Sequence, residues 1–367
     1  MRERPREGPQ VNGHGAGVER AALVHMGVSV GAATIQLVAL HLEIEARESE
    51  STARVVERRF LSRRGPARTP YLDDGSLDIG ALGFALLEAG SNSPVLGEAI
   101  AGRVAVLSGY AAEEDNSYWT GRALADIDYT PYVCLRAGPN LGAVLAAYGG
   151  DAVARSVGTG GDAQTVLNID LGASTAKLAL CRGGDILETA AIALGTRSIA
   201  FDAAGRIQEM RPAAARAGEA VGVALTSGAV LAARDRQALA QQLVDCIFNV
   251  IGRRPLEPLA QSLMLTAPLG YAGPISTLSF TGGGAEYVFN KEETDFGDLG
   301  PLMGKLVRER VDRLGIGLHE PEFPMRATLL GGTQYRLRNG DAKPAFVEPP
   351  AFAAARERDR AFIEVRG

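Results

Sequence analysis

Two stretches, GVSVGAATIQLV at Gly27–Val38 and DLGASTAKLAL at Asp170–Leu180, decide how this chain is read. Laid in register, they put Ser29 on Asp170, Gly31 on Gly172, Ala33 on Ser174, Thr34 on Thr175 and Leu37 on Leu178. Each is a run of strand formers, a glycine-led turn of small residues and a second strand run, the pattern of a tight hairpin. Each also opens one half of the chain, so the economical reading is one lobe written twice. The copies differ in charge, because Ser29 stands where the second copy has Asp170.

Working outward, ALVHMGVSV and TIQLVALHLEIEA form the first hairpin, and TARVVERRFLSRR supplies a third strand. DDGSLDIGALGFALLEAG has apolar residues at helical spacing and a glycine stop; RVAVLSG is a buried-type strand and EEDNSYWTGRALADI a helix. The second half repeats this grammar. YVCLRAG is a strand, and PNLGAVLAAYG is a helix opened by proline and closed by glycine. TVLNIDLG, STAKLALCRG and DILETAAIALG follow as antiparallel strands. DRQALAQQLVDCIFNVIG is an amphipathic helix, TLSFTGGG a strand entering a glycine turn, GDLGPLMGKLVRERVDRL a helix and MRATLLGG a strand. Residues 211–229 are rich in alanine and glycine and show no decisive period. The resulting division is a disordered basic leader at 1–20, a first lobe at 21–138, a second at 139–334 and an irregular tail at 335–367.

Composition narrows the classes of function. With 38 Lys+Arg against 43 Asp+Glu in 367 residues, the chain is mildly acidic and offers nothing to a polyanion, so nucleic acid is not an expected partner. No apolar window is long enough to span a bilayer, and the first residues lack the apolar centre of a signal peptide; a cytoplasmic protein is expected. Cys134, Cys181 and Cys246 are widely separated in apolar contexts, which suits small core residues better than zinc ligands or a redox pair. His25 lies in an apolar strand and reads as a core residue.

The chemistry is expected at the turns. A glycine-led hairpin of small residues leaves backbone N–H groups free to cradle phosphate oxygens, and two facing copies would grip a nucleotide tail from both sides. Asp170 adds a carboxylate able to order the water shell of Mg2+, making it the candidate metal and catalytic residue. Gly282, Gly283 and Gly284, in SFTGGGAEYVF, would let the backbone pass flat against an adenosine. Small residues in PNLGAVLAAYG and in MRATLLGGTQ suit close crossings of the kind a hinge between lobes uses. No cysteine, serine or histidine stands in an activated nucleophile setting.

In this order the pieces resemble the actin, sugar-kinase and heat-shock-chaperone ATPase superfamily, an α/β, two-lobed, ribonuclease-H-like fold with duplicated ββ-hairpin lobes. NIDLGASTAKLALCRGGDILETAAIALGTRSIAFD and LSFTGGGAEYVFNKEETDFGDLGPLMGKLVRER, preceded by LSGYAAEEDN and AGPNLGAVLAAYG, are most similar to one branch, the EutA family of ethanolamine ammonia-lyase reactivating factors. The resemblance runs from Val28 to Gln334 and implies an ATP-dependent, chaperone-like activity that helps an adenosylcobalamin enzyme release damaged cofactor. The cofactors it implies are ATP or ADP with Mg2+, with no cobalamin held as a prosthetic group. The partner it implies is ethanolamine ammonia-lyase, with an oligomer and a bacterial microcompartment both left open. Carried over, Asp170, Gly172 and Thr175 match the second phosphate motif, with Ser174 in its turn; Gly282 and Gly283 match the adenosine loop, with Gly284 following; Gly31 and Thr34 match what remains of the first motif. That first motif usually reads D-I-G-T-T and is Ser29-Val30-Gly31-Ala32-Ala33 here, and a second acidic segment reads Ser108-Gly109-Tyr110-Ala111. These departures keep open whether the chain is a weak Mg2+-dependent ATPase, with a non-hydrolysing nucleotide-binding scaffold of the same fold as the alternative. A small-molecule kinase has less support, since no substrate-site aspartate motif lies between the hairpins.

Overall fold

The computed structural model describes residues 18–47, 54–72, 74–91, 100–128, 132–159, 162–253 and 255–334. Most of the expected leader and the tail from 335 lie outside the described residues. The chain divides into two compact units, one running to Arg136 and resuming at Gly332, the other spanning Ala137–Gly331.

In the first unit, β1 (Val18–Val30) and β2 (Thr34–Arg47) form the long hairpin, and β3 (Arg54–Arg68) pairs antiparallel with β2. Helix α1 (Ile79–Ser91) leads to β4 (Ile100–Leu107), which lies parallel to β1; α2 (Glu114–Asp128) leads to β5 (Val133–Arg136), parallel to β4. The sheet order is β3-β2-β1-β4-β5. Its core is built from alternate sheet residues, Val28, Val30, Ile35 and Leu37, against Leu82 and Leu86 of α1 and Leu124 of α2.

The second unit begins with α3 (Pro139–Gly149) and α4 (Ala152–Ser156). Strands β6 (Thr165–Leu171), β7 (Ala176–Arg182) and β8 (Asp185–Ile192) form the expected antiparallel meander. A two-stranded sheet follows, β9 (Ile199–Phe201) with β10 (Ile207–Met210), then α5 (Pro212–Val221), α6 (Ala233–Gly252) and α7 (Pro258–Leu263). The unit closes with β11 (Thr277–Thr281), α8 (Gly283–Val288), α9 (Gly300–Leu314), β12 (Gly317–His319) and α10 (Ala327–Thr333), whose last residues cross into the first unit. The main sheet has the order β12-β11-β6-β7-β8, with β11 parallel to both β6 and β12. It is the first unit's order again, strand for strand, so the duplication inferred from the hairpins holds for the whole topology.

Every residue of β6 is buried, which hides its alternation from a reading of the sequence. Leu167, Ile169, Leu178, Leu180 and Phe280 pack with α6 and α9 on one face; Val166, Ala179 and Cys181 meet Ala143 and Ala147 of α3 on the other. Asn168 and Asp170 alternate with the first set and therefore lie on the α3 face.

One open segment is resolved and one expectation is corrected. The indeterminate segment 211–229 contains helix α5, with proline at its first turn. MRATLLGG is not a strand: Pro324–Arg326 make a 3-10 turn and α10 follows. A Cβ added to Gly149 would lie 1.8 Å from the Ala327 carbonyl oxygen, and one added to Gly331 would lie 1.9 Å from that of Leu145. Helices α3 and α10 thus touch backbone to backbone, and that crossing holds the segment helical despite its two glycines.

Candidate functional site

The turns of the two long hairpins close identically. The Gly31 amide donates to the Thr34 carbonyl at 2.9 Å, and the Gly172 amide to the Thr175 carbonyl at 3.0 Å. In the first unit the Gly31 carbonyl accepts from Thr69 Oγ1 at 2.9 Å and Tyr71 OH at 3.1 Å. In the second, the Gly172 carbonyl accepts from the Thr196 amide at 3.0 Å and the Ala173 carbonyl from the Arg197 amide at 2.8 Å. Fixing these carbonyls orients the turn, and the amides of Ala173 and Ser174 have no partner among the described residues. Two adjacent N–H donors on a pinned turn are suited to an anionic oxygen.

In each unit a left-handed glycine follows the parallel neighbour strand and abuts the hairpin. Gly109 has φ 61°, and a Cβ there would meet that of Ala32 at 2.9 Å. Gly282 has φ 84°, and its Cβ would fall 2.6 Å from the Leu171 carbonyl oxygen and 2.9 Å from Asp170 Oδ1. At Gly284 the obstacle is Leu171 Cγ at 2.5 Å, whereas Gly283 faces open space. Two of the three glycines are thus demanded by the hairpin behind them, and only Gly283 leaves a face for a planar ligand.

Asp170, at the end of β6, is 3% exposed. Its Oδ1 accepts from Thr281 Oγ1 at 3.2 Å, its Oδ2 from Lys177 Nζ at 3.2 Å, and Thr281 Oγ1 in turn accepts from Asn168 Nδ2 at 3.1 Å. Sheet register makes this row: Asp170 faces Lys177 across the antiparallel pair and Thr281 across the parallel one. Lys177 is the residue that the sequence reading does not single out. Its signal was a lone lysine in the apolar strand AKLALC, five residues past a glycine turn, hence opposite the aspartate.

These residues do not fit Mg2+ as expected. Both carboxylate oxygens of Asp170 are engaged, one by a buried ammonium that already neutralises it. Among the described residues no group of three or more His, Cys, Asp or Glu side chains could hold a metal ion. The matched pair in the first hairpin, Ser29 opposite Gln36, is uncharged.

The other candidates fall outside the site. His25 is buried, hydrogen-bonded to the Thr333 backbone and depressed to a pKa of about 4 by desolvation, so it is a neutral core residue. Cys134, Cys181 and Cys246 are free thiols, and burial raises all three, Cys134 to about 11. No helix among the described residues is long and apolar enough to cross a membrane.

Twofold repetition of a β3-β2-β1-β4-β5 sheet, each with a pinned glycine turn and an abutting left-handed glycine, defines an actin-like α/β protein of ribonuclease-H-like topology. The chain belongs to the EutA family: the model of "Ethanolamine utilisation protein EutA" matches residues 21–338. A curated relative from Salmonella typhimurium, "Ethanolamine ammonia-lyase reactivase EutA", is 29% identical over 326 residues, 86% of this chain and 68% of that protein. The protein of the same name from Escherichia coli is 28% identical over 324 residues, with the same coverage. Among solved structures, the activator of 2-hydroxyisocaproyl-CoA dehydratase from Clostridium difficile with bound ADPNP is similar at 13% identity and a TM-score of 0.37, covering 94% of this chain and 100% of that one. A likeness of that degree assigns no function.

Proposed function

We infer that this chain is a reactivating factor for ethanolamine ammonia-lyase, promoting exchange of damaged cobalamin for intact adenosylcobalamin. The observation that carries the reading is the family match over residues 21–338, together with two curated relatives that bear the reactivase name. Those names favour this reading over a scaffold of the same fold. The nucleotide part rests on the second unit: the free amides of Ala173 and Ser174 take phosphate oxygens, Thr175 and Gly172 hold the turn, and the open face of Gly283 takes the adenine nucleoside. The same reading implies a cytoplasmic protein that docks on the lyase, with a microcompartment as its further location wherever the lyase is housed in one.

The test is to incubate the purified chain with lyase inactivated by bound cyanocobalamin, adding ATP and free adenosylcobalamin, and to follow the return of ammonia release. Recovery that needs both the chain and the nucleotide is expected. Lyase that stays inactive while the chain demonstrably binds ATP would sink the reactivase reading.

A further inference from the structure

We infer that Lys177 takes the electrostatic place of a divalent cation, so that the second unit holds the phosphates of an adenine nucleotide without a metal. The inference rests on the nucleotide-binding reading and specifies its chemistry.

Asp170 and Lys177 form a buried pair, their side chains 5% and 11% exposed and 3.2 Å apart. Mg2+ binds a carboxylate oxygen at about 2.0–2.1 Å and gives up water reluctantly. Direct coordination of Asp170 would displace Lys177 and leave an ammonium, stripped of its counter-ion, beside a dication, and coordination through a water would still hold the dication within a few ångströms of that ammonium. Loss of the pair and like-charge repulsion both oppose that exchange.

Lys177 is also equipped for the role it would take over. An ammonium carries three donors. One goes to Asp170, and the others have no partner among the described residues. Helix α3 is cut away for this side chain: a Cβ on Gly142 would stand 2.8 Å from Lys177 Cδ, 2.9 Å from Cε and 3.4 Å from Nζ. Asp170 and Lys177 sit two residues from the turn residues Gly172 and Thr175 on their respective strands, about 7 Å along the hairpin, a span that a di- or triphosphate covers. On this inference the turn amides and the ammonium are successive donors to one polyphosphate chain, spaced along one hairpin. The duplicated hairpin supports the same balance, since neither Ser29 with Gln36 nor Asp170 with Lys177 carries net charge to attract a cation.

The test is titration calorimetry of the unmodified full chain with ADP, once in EDTA and once in Mg2+. Affinities within about twofold of each other are expected, and a K177Q/D170N double variant, which removes both charges and keeps a polar side chain at each position, should lose ~tenfold or more in EDTA. ADP bound tightly only when Mg2+ is present overturns the inference and leaves the nucleotide reading standing. No ADP bound in either buffer removes the nucleotide reading itself. If the double variant binds as the unmodified chain does, Lys177 is a structural partner of Asp170 and nothing more.

Discussion

At the scale of single residues, the Asp170–Lys177 pair governs most of what can be tested. Removing one partner of a buried ion pair strands the other charge in a medium that solvates it poorly. Lys177→Met should therefore cost about 3–5 kcal/mol of stability, and adding Asp170→Asn should restore most of it. Urea unfolding of both variants and the parent, treated as a double-mutant cycle, checks this; equal losses in the single and double variants would mean that the pair is not coupled. Asp298, in the FGDLGPL block, is raised from 3.8 to about 6 by burial, against the opposing hydrogen bond from the Gly300 amide at 2.7 Å and the nearby Arg197 charge. It acts as an acceptor fixing the start of α9, a role in which asparagine can replace it.

At the scale of elements, the crossing of α3 and α10 depends on absent side chains. Gly331→Ala would place a methyl group 1.9 Å from the Leu145 carbonyl oxygen, and backbone on both sides must move to admit it. A loss of about 3 kcal/mol is expected, measured as a fall in the unfolding midpoint without a change in denaturant slope. Gly283→Ala meets nothing within 4 Å and should leave stability within about 0.5 kcal/mol of the parent. If the adenine nucleoside lies on that face, the same variant should weaken ADP binding, so the two measurements separate packing from ligand contact. The hairpin elements were legible in the sequence because strand, glycine and strand have a local signature. Helix α10 was not, because Ala-Thr-Leu-Leu-Gly-Gly carries no local helical stripe and takes its form from the helix it packs against.

At the scale of the whole molecule, stability against pH combines two groups of opposite sign. Asp298 holds its proton more tightly when folded than when unfolded, so its contribution is present below about pH 4 and lost as pH rises through about 6. His25, lowered to about 4 when folded, does the reverse: its contribution is present above 6.5 and lost as pH falls toward 4. The two slopes oppose over one interval. Asp298→Asn should remove the first, raising stability at pH 7 relative to pH 4 by up to about 3 kcal/mol compared with the parent, as thermal unfolding at the two pH values would show. A variant whose pH profile overlays that of the parent would show that Asp298 titrates normally.

By itself the sequence determined the duplicated hairpins and the glycine turn after TLSFT, because these are properties of short segments whose backbone demands are written in glycine and strand periodicity, and the resemblance of its longer motifs pointed to the family. Only the tertiary structure decided what Asp170 meets. Its partners, Lys177 and Thr281, come from an antiparallel neighbour seven residues away and a parallel neighbour 111 residues away, brought side by side by sheet register. Whether a carboxylate meets a metal or an ammonium depends on which charge stands within a few ångströms of it, and that is a property of the assembled sheet rather than of the segment that carries it.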